Sequence, residues 1–182
     1  ENEFKCGLLF TADPYSKVMN NDDKKTATLF GDGATVTLLD DKPVFECGKF
    51  VFGSDGYKKE GIIVKEDGQL YMNGRAVFTF TVRVVPDNIR DMLKKNSVPL
   101  ESVDCFILHQ GSLHIVNSIA DSLGVSRERC PFHSAEYGNT VSSSVPMVLS
   151  REFDKQEMKV AVLSGFGVGL SWASTMLFRK HS

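Results

Sequence analysis

The chain has 182 residues, 42% of them hydrophobic, with 21 basic side chains against 23 acidic ones. That length suits one domain with a sizeable core, and the near-even charge leaves no electrostatic footprint for nucleic acid or an anionic membrane surface. No apolar run approaches the roughly 18 residues of a membrane span, and four scattered cysteines that read as structural thiols fit a reducing cytoplasm.

The start, "ENEFKCGLLF", shows no signal peptide and no initiator Met, which points to a beginning inside a longer protein or after a removed tag. Residues 5–11 read as a strand, followed by a loop at "ADPYS" and a polar, exposed stretch at 20–26. Residues 26–41 alternate β-branched and aliphatic side chains around a turn or bulge at Gly31-Asp32-Gly33. Residues 42–57 read as one strand ending in a glycine-rich turn, and 61–72 as an irregular, partly extended connection. Helical spacing runs over 74–96, with Pro86 predicting a kink or two abutting helices.

"SVDCFILH", residues 102–109, is a buried strand. Ser112 is placed to cap a helix whose apolar face is Leu113, Val116, Ile119, Ala120 and Leu123, with Gly124 ending it. After a loop at 134–140, residues 141–153 form a helix, and 158–178 close the chain as two strands around a glycine-rich turn. This order predicts an α/β fold with a mixed sheet covered by helices on both faces.

Three polar groups sit where packing alone does not ask for them. His109 and Gln110 end the apolar strand, and Asn139 lies in "YGNT" before a helix. The turn "SGFGVGLS" ends another strand, and ligands in open α/β sheets collect at such ends. Singly, each also has a plain reading: a satisfied histidine, a turn asparagine, a hairpin glycine. The sequence has no GxSxG elbow, no Walker loop and no GxGxxG before a helix. Cys6, Cys47, Cys105 and Cys130 have no CxxC or ligand spacing, and neither do His114, His133 and His181, so no metal site is expected.

Together "FGDGA" (30–34), "MNGRAVFTFTV" (72–82), "DCFILHQ" (104–110), "YGNTVSSSVPMVL" (137–149) and "GFGVGLSWAS" (165–174) resemble the C-terminal half of a 3-oxoacyl-ACP synthase III, in the family's order. The resemblance implies a thiolase-like half with a mixed five-stranded sheet, residues 1–182 forming the C-terminal domain. It implies a Cys-His-Asn condensing site with His109 and Asn139 as the catalytic pair and the Val168 backbone N–H in a second oxyanion hole. Met72, Gly74, Phe78, Gly111, Ser112 and Ile115 would line the pantetheine channel. It further implies acyl-CoA and acyl carrier protein thioesters as substrates, no cofactor, the chain's own N-terminal half as partner, and a homodimer for the intact protein.

The family's nucleophilic cysteine belongs to that other half, so the chain alone is expected to be inactive. The sequence also departs from the family. HQAN is HQGS here, an ACP-docking Arg is His114, and GFGGG is GFGVG. A non-catalytic partner subunit, or binding scaffold of a heteromeric condensing enzyme, is the alternative. The retained His109 and Asn139 favour the enzyme.

Overall fold

A computed structural model describes residues 5–180, leaving Glu1–Phe4, His181 and Ser182 outside the described residues. The strands are β1 (Cys6–Asp13), β2 (Gly33–Asp40), β3 (Phe45–Cys47), β4 (Val51–Ser54), β5 (Ile62–Val64), β6 (Leu70–Met72), β7 (Cys105–Leu108), β8 (Val160–Gly167) and β9 (Ser171–Arg179). The helices are α1 (Lys24–Ala27), α2 (Gly74–Asn96), α3 (Leu113–Leu123) and α4 (Ser144–Glu152).

A mixed sheet of five strands runs β3-β9-β8-β7, with β4 pairing β9 beside β3. Only β7 and β8 are parallel, so their C-terminal ends, and whatever follows them, leave by the same edge. Strand β7 is buried on both faces. Phe106 and Leu108 pack with α2 and α3, through Val85, Ile89, Met92, Val116 and Ile119, while Cys105 and Ile107 meet Val148 of α4. Helices therefore cover both faces, and the fold is the α/β arrangement of a mixed five-stranded sheet that the sequence led us to expect. Helix α3 begins at Ser112, whose Oγ accepts from the Ile115 N–H at 3.2 Å, and ends at Gly124 in the left-handed region.

Three local expectations are corrected. Helix α2 is a single helix through Pro86, not two abutting ones. Proline forfeits one backbone bond, but the fully buried Val85, Ile89 and Met92 around it carry the helix through. The strand expected over 42–57 is two strands. Asn96 of α2 takes both the Lys49 N–H and its C=O, so the backbone there cannot pair with β9. Residues 61–72 form a hairpin, β5 against β6, turning at Gly68 with φ +78°.

Strands β1 and β2 stand apart as an antiparallel ribbon. The register puts Leu8, Phe10 and Ala12 on one face with Ala34, Val36 and Leu38. Leu8, Phe10, Val36 and Leu38 are all exposed.

Candidate active site

His109 follows the last residue of β7 and continues the ladder, its N–H donating to the Ser164 carbonyl of β8 at 2.8 Å. Its ring meets Phe166 edge-on, with centroids 5.1 Å apart, and Nδ1 lies 2.7 Å from the Oγ of Ser144 in the first turn of α4. Burial pushes the imidazole down to about 4, the Val141 carbonyl beside it opposing only in part. At neutral pH the ring is uncharged. Gln110 turns inward instead. Its amide donates to the Leu108 and Pro131 carbonyls and accepts from the His133 N–H, so it braces the strand end and is spent on structure.

Asn139 is fixed at both ends of its backbone. Its N–H donates to the Leu29 carbonyl at 2.8 Å, and its carbonyl accepts from the Gly31 N–H at 3.0 Å. The approach demands glycine: a Cβ on Gly31 would sit 1.8 Å from the Tyr137 carbonyl oxygen, and one on Gly33 2.7 Å from Thr140 Cβ. The side-chain Oδ1 of Asn139 accepts from the Val141 N–H at 2.9 Å. That assignment leaves the Nδ2 hydrogens free to donate elsewhere. Val141 itself holds φ at 52°, which a β-branched residue rarely adopts. This one strained residue binds Asn139 through its N–H and puts its carbonyl beside His109, so it ties the two side chains together.

The segment before α4 is also tied to the ribbon. Asp13 accepts from the Ser142 N–H and hydroxyl, and Ser143 Oγ bonds Thr11 Oγ1 and the Gly33 carbonyl. Ser144, Val141 and Asp13 were not singled out from the sequence. The only signal was the run of three serines ahead of an apolar helix.

Val168 lies in the turn between β8 and β9, at the same sheet edge as His109. Ser171 Oγ donates to its carbonyl at 2.8 Å. Asn139, Gly111 and Ser112 line an open cavity of about 460 Å³ together with Gln110, Leu29 and Phe30. Met72, Gly74, Phe78 and Ile115 do not line it. Ile115 and His109 flank Gly111, where an added Cβ would lie 3.2 Å from Ile115 Cδ1 and 3.8 Å from His109 Nε2. Phe78 of α2 stacks on His114 of α3, with ring centroids 4.8 Å apart, and Met72 neighbours Gly74 where β6 enters α2.

The thiols of Cys105 and Cys130 are both pushed up to about 12, by burial first. Among the described residues no group of three His, Cys, Asp or Glu side chains could hold a metal ion, and no helix is long and apolar enough to cross a membrane.

Two family models match the chain. One, described as 3-oxoacyl-[acyl-carrier-protein (ACP)] synthase III C terminal, covers residues 93–178, and the other, 3-oxoacyl-[acyl-carrier-protein (ACP)] synthase III, covers residues 1–56. The chain belongs to the 3-oxoacyl-ACP synthase III family. A β-ketoacyl-[acyl-carrier-protein] synthase III of Lactococcus lactis subsp. cremoris is 35% identical over 196 residues, a match covering 96% of this chain and 59% of that protein. One from Staphylococcus epidermidis is 34% identical, with 96% and 58% covered. Among solved structures, the synthase III of Thermus thermophilus superposes with a TM-score of 0.90 at 30% identity, covering 98% of this chain and 60% of that one. The chain thus spans about 59% of the length of the curated synthase III relatives it matches.

Proposed function

We propose that this chain supplies the oxyanion-stabilising half of a condensing acyltransferase, which joins an acyl thioester to malonyl-ACP by decarboxylative Claisen condensation in fatty-acid or related acyl biosynthesis. One observation carries the proposal. Asn139 has its side-chain oxygen occupied by the Val141 N–H, which leaves its Nδ2 hydrogens to donate, and the buried His109 ring is uncharged with Nδ1 against Ser144 Oγ, which leaves Nε2 for a substrate. The names of the synthase III relatives, which print a β-ketoacyl group and acyl carrier protein, support an acyl thioester of acyl carrier protein as the class of substrate.

The chemistry fits such donors. Breaking the carbon–carbon bond of the malonyl group releases carbon dioxide and sends the bonding pair into the thioester carbonyl as an enolate. Preorganised neutral donors stabilise that oxygen as charge develops on it. The enolate carbon then attacks the acylated enzyme thiol, forming the new carbon–carbon bond and expelling the thiolate. Val168 N–H is assigned to the oxygen of that second carbonyl. Met72, Gly74, Phe78, Gly111, Ser112 and Ile115 are assigned to the pantetheine arm.

Thiols held near pKa 12 at Cys105 and Cys130 are protonated at neutral pH and are poor nucleophiles. Cys6 opens β1 and Cys47 closes β3, so neither stands at a helix N-terminus that would favour a thiolate, and the acylated cysteine is assigned to a segment outside these 182 residues, within the same protein and in a homodimer. The chain alone is then inactive.

The test is carbon dioxide release from malonyl-ACP beside acylation of the enzyme, in the full-length protein. His109→Ala and Asn139→Ala should each slow decarboxylation by roughly a hundred- to a thousandfold while acylation persists. The double variant should fall far short of the product, because both donors serve one oxygen. Undiminished decarboxylation in His109→Ala would reduce the residue to a strand-end histidine.

A further inference from the structure

The ring of His109 carries one proton at neutral pH, because burial keeps it uncharged. A neutral imidazole can place that proton on Nδ1 or on Nε2, and only one choice offers a donor at the far nitrogen. The surroundings of Ser144 make that choice. Ser144 is completely buried in the first turn of α4. Its Oγ has two polar neighbours among the described residues: Nδ1 of His109 at 2.7 Å and the Gln110 N–H at 3.4 Å.

The Gln110 amide can only donate, so it occupies a lone pair on the hydroxyl. The hydroxyl proton then has one acceptor within reach, the Nδ1 lone pair. If Nδ1 carried the ring proton instead, both neighbours would donate to one oxygen and the serine proton would be buried without an acceptor. With Nδ1 committed as an acceptor, the single ring proton sits on Nε2.

We propose that Ser144 is a positioning residue that donates its hydroxyl proton to Nδ1 of His109 and thereby fixes the ring as the Nε2–H tautomer. This deepens the reading of His109 as an oxyanion donor and rests on it for its catalytic meaning. The tautomer itself can be read without any activity. Ser144 also places Nδ1 by a contact from a different element, so the ring is held by the sheet through its backbone and by α4 through its side chain.

The experiment is two-bond proton–nitrogen NMR on the chain labelled with ¹⁵N-histidine at neutral pH, with His109 assigned by its loss in His109→Gln. The Nε2–H pattern is expected in the unaltered chain. In Ser144→Ala the ratio of tautomers should shift at least roughly tenfold toward Nδ1–H, and Ser144→Thr, which keeps the hydroxyl, should retain the original pattern. An Nδ1–H ring in the unaltered chain overturns the proposal whether or not the variants fold, and so does a Ser144→Ala spectrum unchanged from the original. The full-length Ser144→Ala enzyme separates the two claims. A shifted tautomer with slowed decarboxylation supports both. A shifted tautomer with undiminished decarboxylation upholds the serine's hold on the ring and counts against His109 as the donor.

Discussion

Replacing Gly31 with alanine should part the loop of Asn139 from the segment that holds it. The new Cβ would lie 1.8 Å from the Tyr137 carbonyl oxygen, whereas carbon and oxygen settle no closer than about 3.3 Å. The two backbones must separate by roughly 1.5 Å on that spacing. Such an opening takes the 3.0 Å and 2.8 Å bonds at Asn139 beyond hydrogen-bond range. Each bond is worth about 1 kcal/mol net, and partly buried groups left unpaired add to that, giving about 2–4 kcal/mol in all. For a chain of this size each kcal/mol moves Tm by about 2–4 °C, so a fall of roughly 5–15 °C is expected.

The assay is thermal unfolding followed by circular dichroism, with Gly7→Ala as control. A Cβ at Gly7 meets nothing within 4 Å, and that variant should stay within about 0.5 kcal/mol of the original. If Gly31→Ala melted within about 2 °C of the original chain, less than 1 kcal/mol would be at stake. The clamp on Asn139 would then not be what the glycine protects.

Two further outcomes depend on pH. His109, lowered to about 4 by burial, should titrate near that value by NMR, and a midpoint above about 6, close to a free imidazole, would contradict its enclosure. Because its folded value lies below the unfolded one, its contribution to stability is present above about pH 6.5 and lost as pH falls toward 4, to the extent of about 2–3 kcal/mol. Burial raises the Glu152 carboxyl, but hydrogen bonds from Lys155 at 2.6 Å and His133 at 2.9 Å outweigh it and hold the group below its ordinary value. Glu152→Gln should cost about 2 kcal/mol, discounted because Lys155 is half exposed. That deficit should shrink in urea titrations below about pH 4, as the native carboxylate protonates. A deficit that stayed constant into acid would mean the charge contributes nothing.

How far the site was legible in the sequence depended on distance along the chain. An unbroken apolar run with His109 and Gln110 at its end marks a buried strand delivering polar groups to an edge, and local pattern suffices to see it. The strand after it, the glycine turn and the capped helix at Ser112 are equally local. Asn139 was visible as a residue, but its hold was not, because Leu29 and Gly31 lie far away in sequence and pair by one isolated bridge. Gly31 and Gly33 read as a turn when their physical reason is close approach to Tyr137 and Thr140. Ser144 was hidden for a related reason, since nothing in a run of serines tells which hydroxyl will be buried against a ring. Two abutting helices at Pro86 did not form because the packing of Val85, Ile89 and Met92 outweighs the backbone bond that proline forfeits. The Asp67-Gly68 pair did signal the hairpin of β5 and β6, but with three residues on either side the signal was too short to weigh.

The ribbon of β1 and β2 bears on how the chain behaves as a solute. One face is apolar along its length, from Leu8, Phe10 and Ala12 across to Ala34, Val36 and Leu38. Among the described residues neither strand pairs with a third, so the backbone along both margins lacks a strand partner. Open margins beside an exposed apolar face are a template for adding strands from other molecules. Light scattering from solutions of this chain should therefore climb faster than concentration, and its melting temperature should depend on how much of it is present.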